Sequence, residues 1–261
     1  MTHSPESLRQ QLLTHLQLVH ASGIDWLPSA PPLVISQTTK PADDASTASM
    51  FDIAEETAAA EGGLSIEERR VALQTLADEV KTCMRCAELC STRTQTVFGD
   101  GEPGVELCFV GEAPGADEDA QGVPFVGAAG QLLNKIIAAM GFKRDEVYIC
   151  NILRCRPPGN RTPLADEASN CRPFLERQLA LVQPKFLVAL GGCAATNLLQ
   201  TTMSIGRLRG RFHNYKGVPL VVTYHPAYLL PHKHPEMKRE VWEDMKMLLT
   251  RMGRPIPQKS Q

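Results

Sequence analysis

Glu106–Gly115 reads ELCFVGEAPG, a short apolar run that ends on a turn built from two glycines and a proline. A run this brief, bounded by turn residues, fits a strand covered on both faces better than a helix. Three runs of the same character follow: Val147–Leu153 (VYICNIL), Lys185–Leu190 (KFLVAL) and Leu220–Tyr224 (LVVTY). Between them lie AGQLLNKIIAAMGF, ADEASNCRPFLERQLALV and GGCAATNLLQ, each long enough for a crossover helix, and a closing helix is expected around Pro235–Met252. Repeated βα units predict an α/β fold, a three-layer α/β/α sandwich around a central four-stranded, mainly parallel sheet. Ligands of such sheets bind beyond the carboxyl ends of the strands, so the residues that follow each strand carry the functional argument.

Upstream of the first strand, LSIEERRVALQTLADEVKTC (Leu64–Cys83) has helical character. Further back, Leu8, Leu12, Leu16 and Val19 recur at helical spacing and Gly23 stands as a stop. Pro28 onward is rich in Pro, Ala, Ser, Thr and acid with neither period. The expected organisation is a short amphipathic helix over residues 1–27, a disordered linker over 28–64, the α/β domain over 65–253 and a tail over 254–261. The first helix is either a loosely packed extension or a docking peptide for a protein partner.

The formal net charge of −2 hides an asymmetry. Residues 1–80 hold 4 Lys/Arg against 12 Asp/Glu, net −8, and residues 81–261 hold 23 against 17, net +6. The second half suits a polyanionic partner. No apolar run approaches the roughly 20 residues of a membrane span, and MTHSPESLRQQLL lacks the basic-then-apolar layout of a signal peptide. Those two features argue against a membrane and for a cytoplasmic protein. In that reducing setting, eight cysteines point to a metal or cluster before disulfides.

Cys83 and Cys86 form a C-x2-C; Cys155 follows a strand in the Pro-rich loop RCRPPGNRTP, and Cys171 enters the next helix. Four thiolates suit structural zinc or a [4Fe–4S] cluster equally, and coincidence is the third alternative. Cys90 extends the first pair to C-x2-C-x3-C, while Cys108, Cys150 and Cys193 sit in apolar runs where buried free thiols are common. These four are left outside the site.

Several groups converge on one sheet edge. The Gly111–Gly115 turn can aim backbone N–H groups outward. Phe125 stands in the glycine-rich loop GVPFVGAAGQLL, Gly122–Leu133, where its ring could meet a planar ligand. Asn151 near a strand end is a costly amide unless both its donor and its acceptor are used. His225 follows the fourth strand in YHPAYLL. Singly these read as an ordinary βα turn, a core phenylalanine and a structural histidine.

Taken in order, C-x2-C, GEAPG, GVPFVGAAGQLL, NILRCRPPGNRTP, Cys171 and HPAYLL resemble the family 4, iron–sulfur uracil-DNA glycosylases over about residues 80–252. The resemblance implies a [4Fe–4S] cluster on Cys83, Cys86, Cys155 and Cys171. It implies a DNA-repair hydrolase that flips uracil out of single- or double-stranded DNA and cuts its N-glycosidic bond, leaving an abasic site; recognition of one base needs only a monomer. By similarity, Gly111, Glu112, Ala113, Phe125, Asn151 and His225 contact uracil, with Glu112, Asn151 and His225 catalytic. Family 1 relatives carry an aspartate where this chain has Ala113, so a uracil-DNA-binding protein with little turnover is the alternative. Asp117 and Glu118 are further carboxylates that could position water. DNA contacts are expected from Arg207, Arg209, Arg211, Lys216, His232, Lys233, Lys238 and Arg239, with Leu229 or Leu230 as a wedge in the gap left by the flipped base.

Overall fold

A computed structural model of the chain describes residues 63–257. The helix expected over 1–27 and nearly all of the linker expected over 28–64 lie outside the described residues. Among these residues, no helix is long and apolar enough to cross a membrane.

The domain opens with α1 (Ile66–Lys81), started by a reciprocal capping box in which Ser65 Oγ accepts from the Glu68 N–H and the Glu68 carboxylate accepts from the Ser65 N–H. A one-turn-and-a-half helix, α2 (Ala87–Thr92), follows the C-x2-C. The sheet contains β1 (Leu107–Gly111), β2 (Val147–Asn151), β3 (Phe186–Leu190), β4 (Phe212–Tyr215) and β5 (Val218–Thr223), in the order β2-β1-β3-β5-β4. Four strands are parallel and β4 runs antiparallel along β5. The helices are α3 (Ala116–Gln121), α4 (Ala128–Ala139), α5 (Ala165–Val182), α6 (Gly191–Leu199), α7 (Ile205–Leu208) and α8 (Lys238–Arg251).

The apolar strand runs have a direct cause: both faces of the sheet are covered. Cys108, Val110, Cys150, Leu187, Ala189 and Val222 face Ala168, Leu175 and Leu179 of α5 and Ala194, Ala195 and Leu198 of α6. The alternate positions Leu107, Phe109, Ile149, Val188, Leu190 and Val221 face Leu133 and Ile137 of α4 and Val241, Met245, Leu248 and Leu249 of α8. Each fully buried side chain of this size contributes about 1.5–3 kcal/mol of transfer free energy, which makes the two-sided strand the strongest local signal in the chain.

The sheet has five strands where the sequence predicts four. The additional β4 is a four-residue edge strand, FHNY, with no fully buried residue. It turns into β5 through Lys216 (φ 49°) and Gly217 (φ 92°), a two-residue hairpin with both central residues in the left-handed region. A half-exposed edge strand of this length leaves no apolar run to read.

Candidate active site

The chain leaves β1 toward β2 on one side and enters β3 on the other, so β1 and β3 flank the crevice where doubly wound sheets bind ligands. A cleft of about 350 Å³ lies at these carboxyl ends, lined by Glu112–Glu118, Phe125, Gly127–Ala129, Asn151, Pro157, Asn160, Arg161, His225 and Ala227. Its size falls within the range of small-molecule sites.

Asn151, the last residue of β2, is buried, and its side-chain oxygen has no hydrogen-bond partner. An orphaned buried acceptor of this kind costs about 1–3 kcal/mol until a donor reaches it. Opposite it in register stands Gly111, where a Cβ would lie 2.4 Å from Asn151 Oδ1 and 2.5 Å from Phe125 Cζ. Glycine is therefore required for the amide and the ring to close over the end of β1. Phe125 is held at φ 54°, a strained conformation for a phenylalanine. The strain is maintained from outside: Arg144 donates to the carbonyls of Pro124 (2.6 Å) and Phe125 (3.2 Å), and Gly130 admits the Phe125 carbonyl where a Cβ would sit 1.8 Å from its oxygen.

His225 follows β5 and its ring lies 5.5 Å from that of Phe125, tilted by 32°. Its approach to the sheet is permitted by Gly191 (φ 93°), whose hypothetical Cβ would meet His225 Cβ at 3.0 Å. Nδ1 accepts the Ala227 N–H at 3.1 Å, so in the neutral ring Nε2 carries the proton. Burial, helped by the positive charge of Lys233 and opposed by Glu118, pushes its pKa down to about 4. The imidazole is therefore a neutral donor at physiological pH. Glu112, beside it in the cleft, has its carboxyl pKa raised by burial.

The acidic run after GEAPG divides by partner. Glu118 spends both carboxylate oxygens on backbone, accepting from Val126 and Gly127 (2.9 Å each) and from Gly115 (3.1 Å), which staples the GEAPG turn to the Phe125 loop. Asp119 is buried on the Thr94 N–H, while Asp117 is exposed at the rim of the cleft.

Cys83, Cys86, Cys90, Cys155 and Cys171 line one tight cavity of about 20 Å³ with Val80, Leu89, Leu153 and Phe174. The end of α1 packs on Phe174 of α5 and delivers Cys83 to Cys171. Arg93 Nη1 donates to Cys155 Sγ at 3.0 Å, and Asn170 Nδ2 approaches Cys86 Sγ at 3.7 Å. Burial raises the thiol pKa values of Cys86 and Cys171 and lifts that of Cys155 to about 11. Among the described residues no three His, Cys, Asp or Glu side chains converge as the ligands of a single ion would. Cys90 points its sulfur at the Cys83 carbonyl, 3.2 Å away.

Three DNA-contact expectations are corrected. Arg209 is 10% exposed and ion-paired to Asp244 at 2.9 Å and to Glu240, with its guanidinium 4.2 Å over the Tyr224 ring, so its charge is answered inside the protein. Leu229 is fully buried against α4 and α8, and no wedge can come from it without unpacking the core; the neighbouring Leu230 is half-buried. Lys216 pairs with Glu176 at 3.0 Å in the β4–β5 hairpin, which lies at the sheet edge opposite the cleft. Arg207, Arg211, His232, Lys233, Lys238 and Arg239 are exposed. Sequence reasoning missed Arg144, Asn160 and Arg161. Arg161 forks onto Glu167 (2.9 and 2.6 Å) and reaches Glu88 at 2.7 Å; these partners are set by the fold and leave no local pattern.

A doubly wound sheet that gathers an unpaired amide oxygen, an aromatic ring and a neutral imidazole at one crevice has the layout of an α/β enzyme. Residues 98–246 match the model of the uracil DNA glycosylase superfamily. The chain is 40% identical over 179 residues to the type-4 uracil-DNA glycosylase of Thermotoga maritima, covering 68% of this chain and 93% of that one. It is 39% identical over 193 residues to the type-4 uracil-DNA glycosylase of Archaeoglobus fulgidus (71% and 96%), and 33% identical over 148 residues to the type-5 enzyme of Pyrobaculum aerophilum (49% and 64%). This chain belongs to the uracil DNA glycosylase superfamily, on its type-4 branch.

Proposed function

We propose that the cleft at the ends of β1, β2 and β5 carries out the reaction of this branch, excision of uracil from DNA for base-excision repair. The observation that carries the assignment is the orphaned Asn151 Oδ1 beside Phe125. A flipped uracil stacked on Phe125 presents N3–H to that oxygen and O4 to the amide N–H, which satisfies both. Cytosine reverses donor and acceptor along the same edge and leaves the amide mismatched, the kind of discrimination a buried polar pair supplies best.

Cleavage of the N-glycosidic bond leaves negative charge on the departing base. The neutral His225 donates from Nε2 to O2 as that charge grows, a preorganised donor worth about 2.7–4 kcal/mol in comparable sites. The backbone of Gly111, Glu112 and Ala113 borders the same edge of the base. Glu112 orients the attacking water: of the carboxylates after β1, Glu118 and Asp119 are committed to backbone N–H groups, whereas Glu112 lines the cleft with its carboxyl pKa raised by burial. Asp117 borders the site at the rim.

The four thiols Cys83, Cys86, Cys155 and Cys171 fit a [4Fe–4S] cluster. They line one tight nest, and burial raises the thiol pKa values of Cys86, Cys155 and Cys171, which a bound cation would offset. Bound there, the cluster supplies cross-links between the start of the domain, the loop after β2 and α5 without entering the reaction. The exposed Arg207, Arg211 and Lys233 hold the DNA backbone together with Lys238, Arg239 and His232. One base needs one cleft, so the acting unit is a monomer in the cytoplasm, with residues 1–27 recruiting a protein partner. The test is a uracil-containing oligonucleotide treated with protein and then alkali: strand scission supports excision, and intact strands with free uracil absent refute it.

A further inference from the structure

Arg154, between Asn151 and Cys155, is 1% exposed and has no carboxylate within ion-pair distance among the described residues. A buried guanidinium without an anion is costly. Its Nη1 donates to the Asn151 carbonyl and its Nη2 to Gln178 Oε1, while Nε has no partner. Gln178 is itself locked by the Tyr148 hydroxyl (2.8 Å) and the Phe98 carbonyl (3.0 Å). On its other side Arg154 lines the thiol nest beside Cys155 and Cys171, and its carbonyl accepts from Val97 at 2.8 Å. One residue thus touches both the strand end that bears the uracil-reading amide and a cysteine of the thiol nest.

We infer that Arg154 is a positioning residue: its buried charge is balanced by the cysteinates of the metal nest, and its fork fixes the backbone from which the Asn151 amide is aimed. The inference rests on the reading of Asn151 and of the four cysteines given above. A cluster held by four thiolates is a net anion, a counter-charge that no carboxylate among the described residues supplies to this guanidinium. In the other direction, Arg154 stabilises the reduced, more negative state of that anion.

Two variants of the holoprotein separate the parts. Arg154→Lys keeps the charge and loses the fork; Arg154→Gln loses both. Binding of free uracil, read as product inhibition, is expected to weaken roughly ten-fold in each, the scale of a lost charge-assisted hydrogen bond. Iron per chain is expected to stay at the wild-type level in the lysine variant. The reduction potential of the cluster is expected to fall in the glutamine variant and hold in the lysine variant, a readout that general loosening of the fold would not order in this way. If the glutamine variant does not fold, the uracil affinity of the lysine variant decides. Wild-type uracil binding in the Arg154 variants, with weakened binding in Asn151→Ala, overturns the positioning role alone. Wild-type uracil binding in Asn151→Ala overturns the reading of the cleft, and the inference with it.

Discussion

The end of β2 serves two sites of opposite construction. Asn151 faces a cleft of about 350 Å³ with a polar atom left unpaired, whereas four residues later Cys155 faces a cavity of about 20 Å³ packed by leucine, valine and phenylalanine and bordered by Arg85, Arg93 and Arg154. The cleft is held open by strain and by glycine: Phe125 at positive φ, Gly111 where no Cβ fits, and Glu118 stapling two loops through three backbone N–H groups. The nest is held shut by packing, with Leu76, Val80 and Phe174 closing around Cys83 and Cys171. An open polar site suits a ligand that comes and goes, and a closed thiol site suits a group that stays. Substitutions in the first should cost turnover, and those in the second should cost stability.

The sharpest break of that comparison is His225→Ala, expected to lower kcat roughly 10²- to 10³-fold with little change in melting temperature. Thermal melts and single-turnover rates on one preparation check it, and a melting temperature that falls as far as the rate would erase the distinction. Next, Cys155→Ser should lose iron and lower the melting temperature by on the order of 10 °C, the equivalent of a few kcal/mol in a domain of this size, with a smaller effect on the rate per folded molecule. Iron analysis and calorimetry read both effects.

The pH profile sharpens the chemistry of the cleft. His225 stays neutral down to about 4, and Glu112 must be ionised to orient water, with its pKa above the ordinary carboxylate value. Activity should therefore fall as pH drops through the raised Glu112 value, before His225 gains its proton. In Glu112→Gln that first limb should vanish, leaving a slower enzyme whose acid limb lies near 4. The smallest effect expected is at the surface: Arg207→Ala should reduce the salt dependence of DNA binding by about one counter-ion. The buried Arg209→Ala should leave that slope unchanged and lower the melting temperature.

The central four strands were legible because each is buried on both faces and so written in uninterrupted apolar residues, while β4 was not, being an edge of four half-exposed residues. Gly111, Asn151 and His225 could be singled out because each ends or follows a strand, where the topology alone places ligands, and Phe125 because it stands in a glycine-rich loop just before a helix. Spacing could not decide which charges face outward. Arg209 and Arg207 lie two residues apart in one basic run, yet one is sealed onto Asp244 and the other is exposed. Leu229 and Leu230 pose the same problem after Pro226. Arg144 and Arg161 act on backbone or on residues brought near only by folding, and no local pattern announces them; Glu118 reads in the sequence as a carboxylate for water, but both its oxygens go to backbone N–H groups.

The claim that Asn151 reads uracil is tested most directly by the rate of free-uracil release from a U·A duplex by the wild type and by Asn151→Ala at saturating protein. The amide's two hydrogen bonds, one of them to an otherwise orphaned acceptor, predict a loss of about 10²-fold or more. Release by the variant within about two-fold of the wild type, well inside the tenfold that 1.4 kcal/mol represents, would contradict the account.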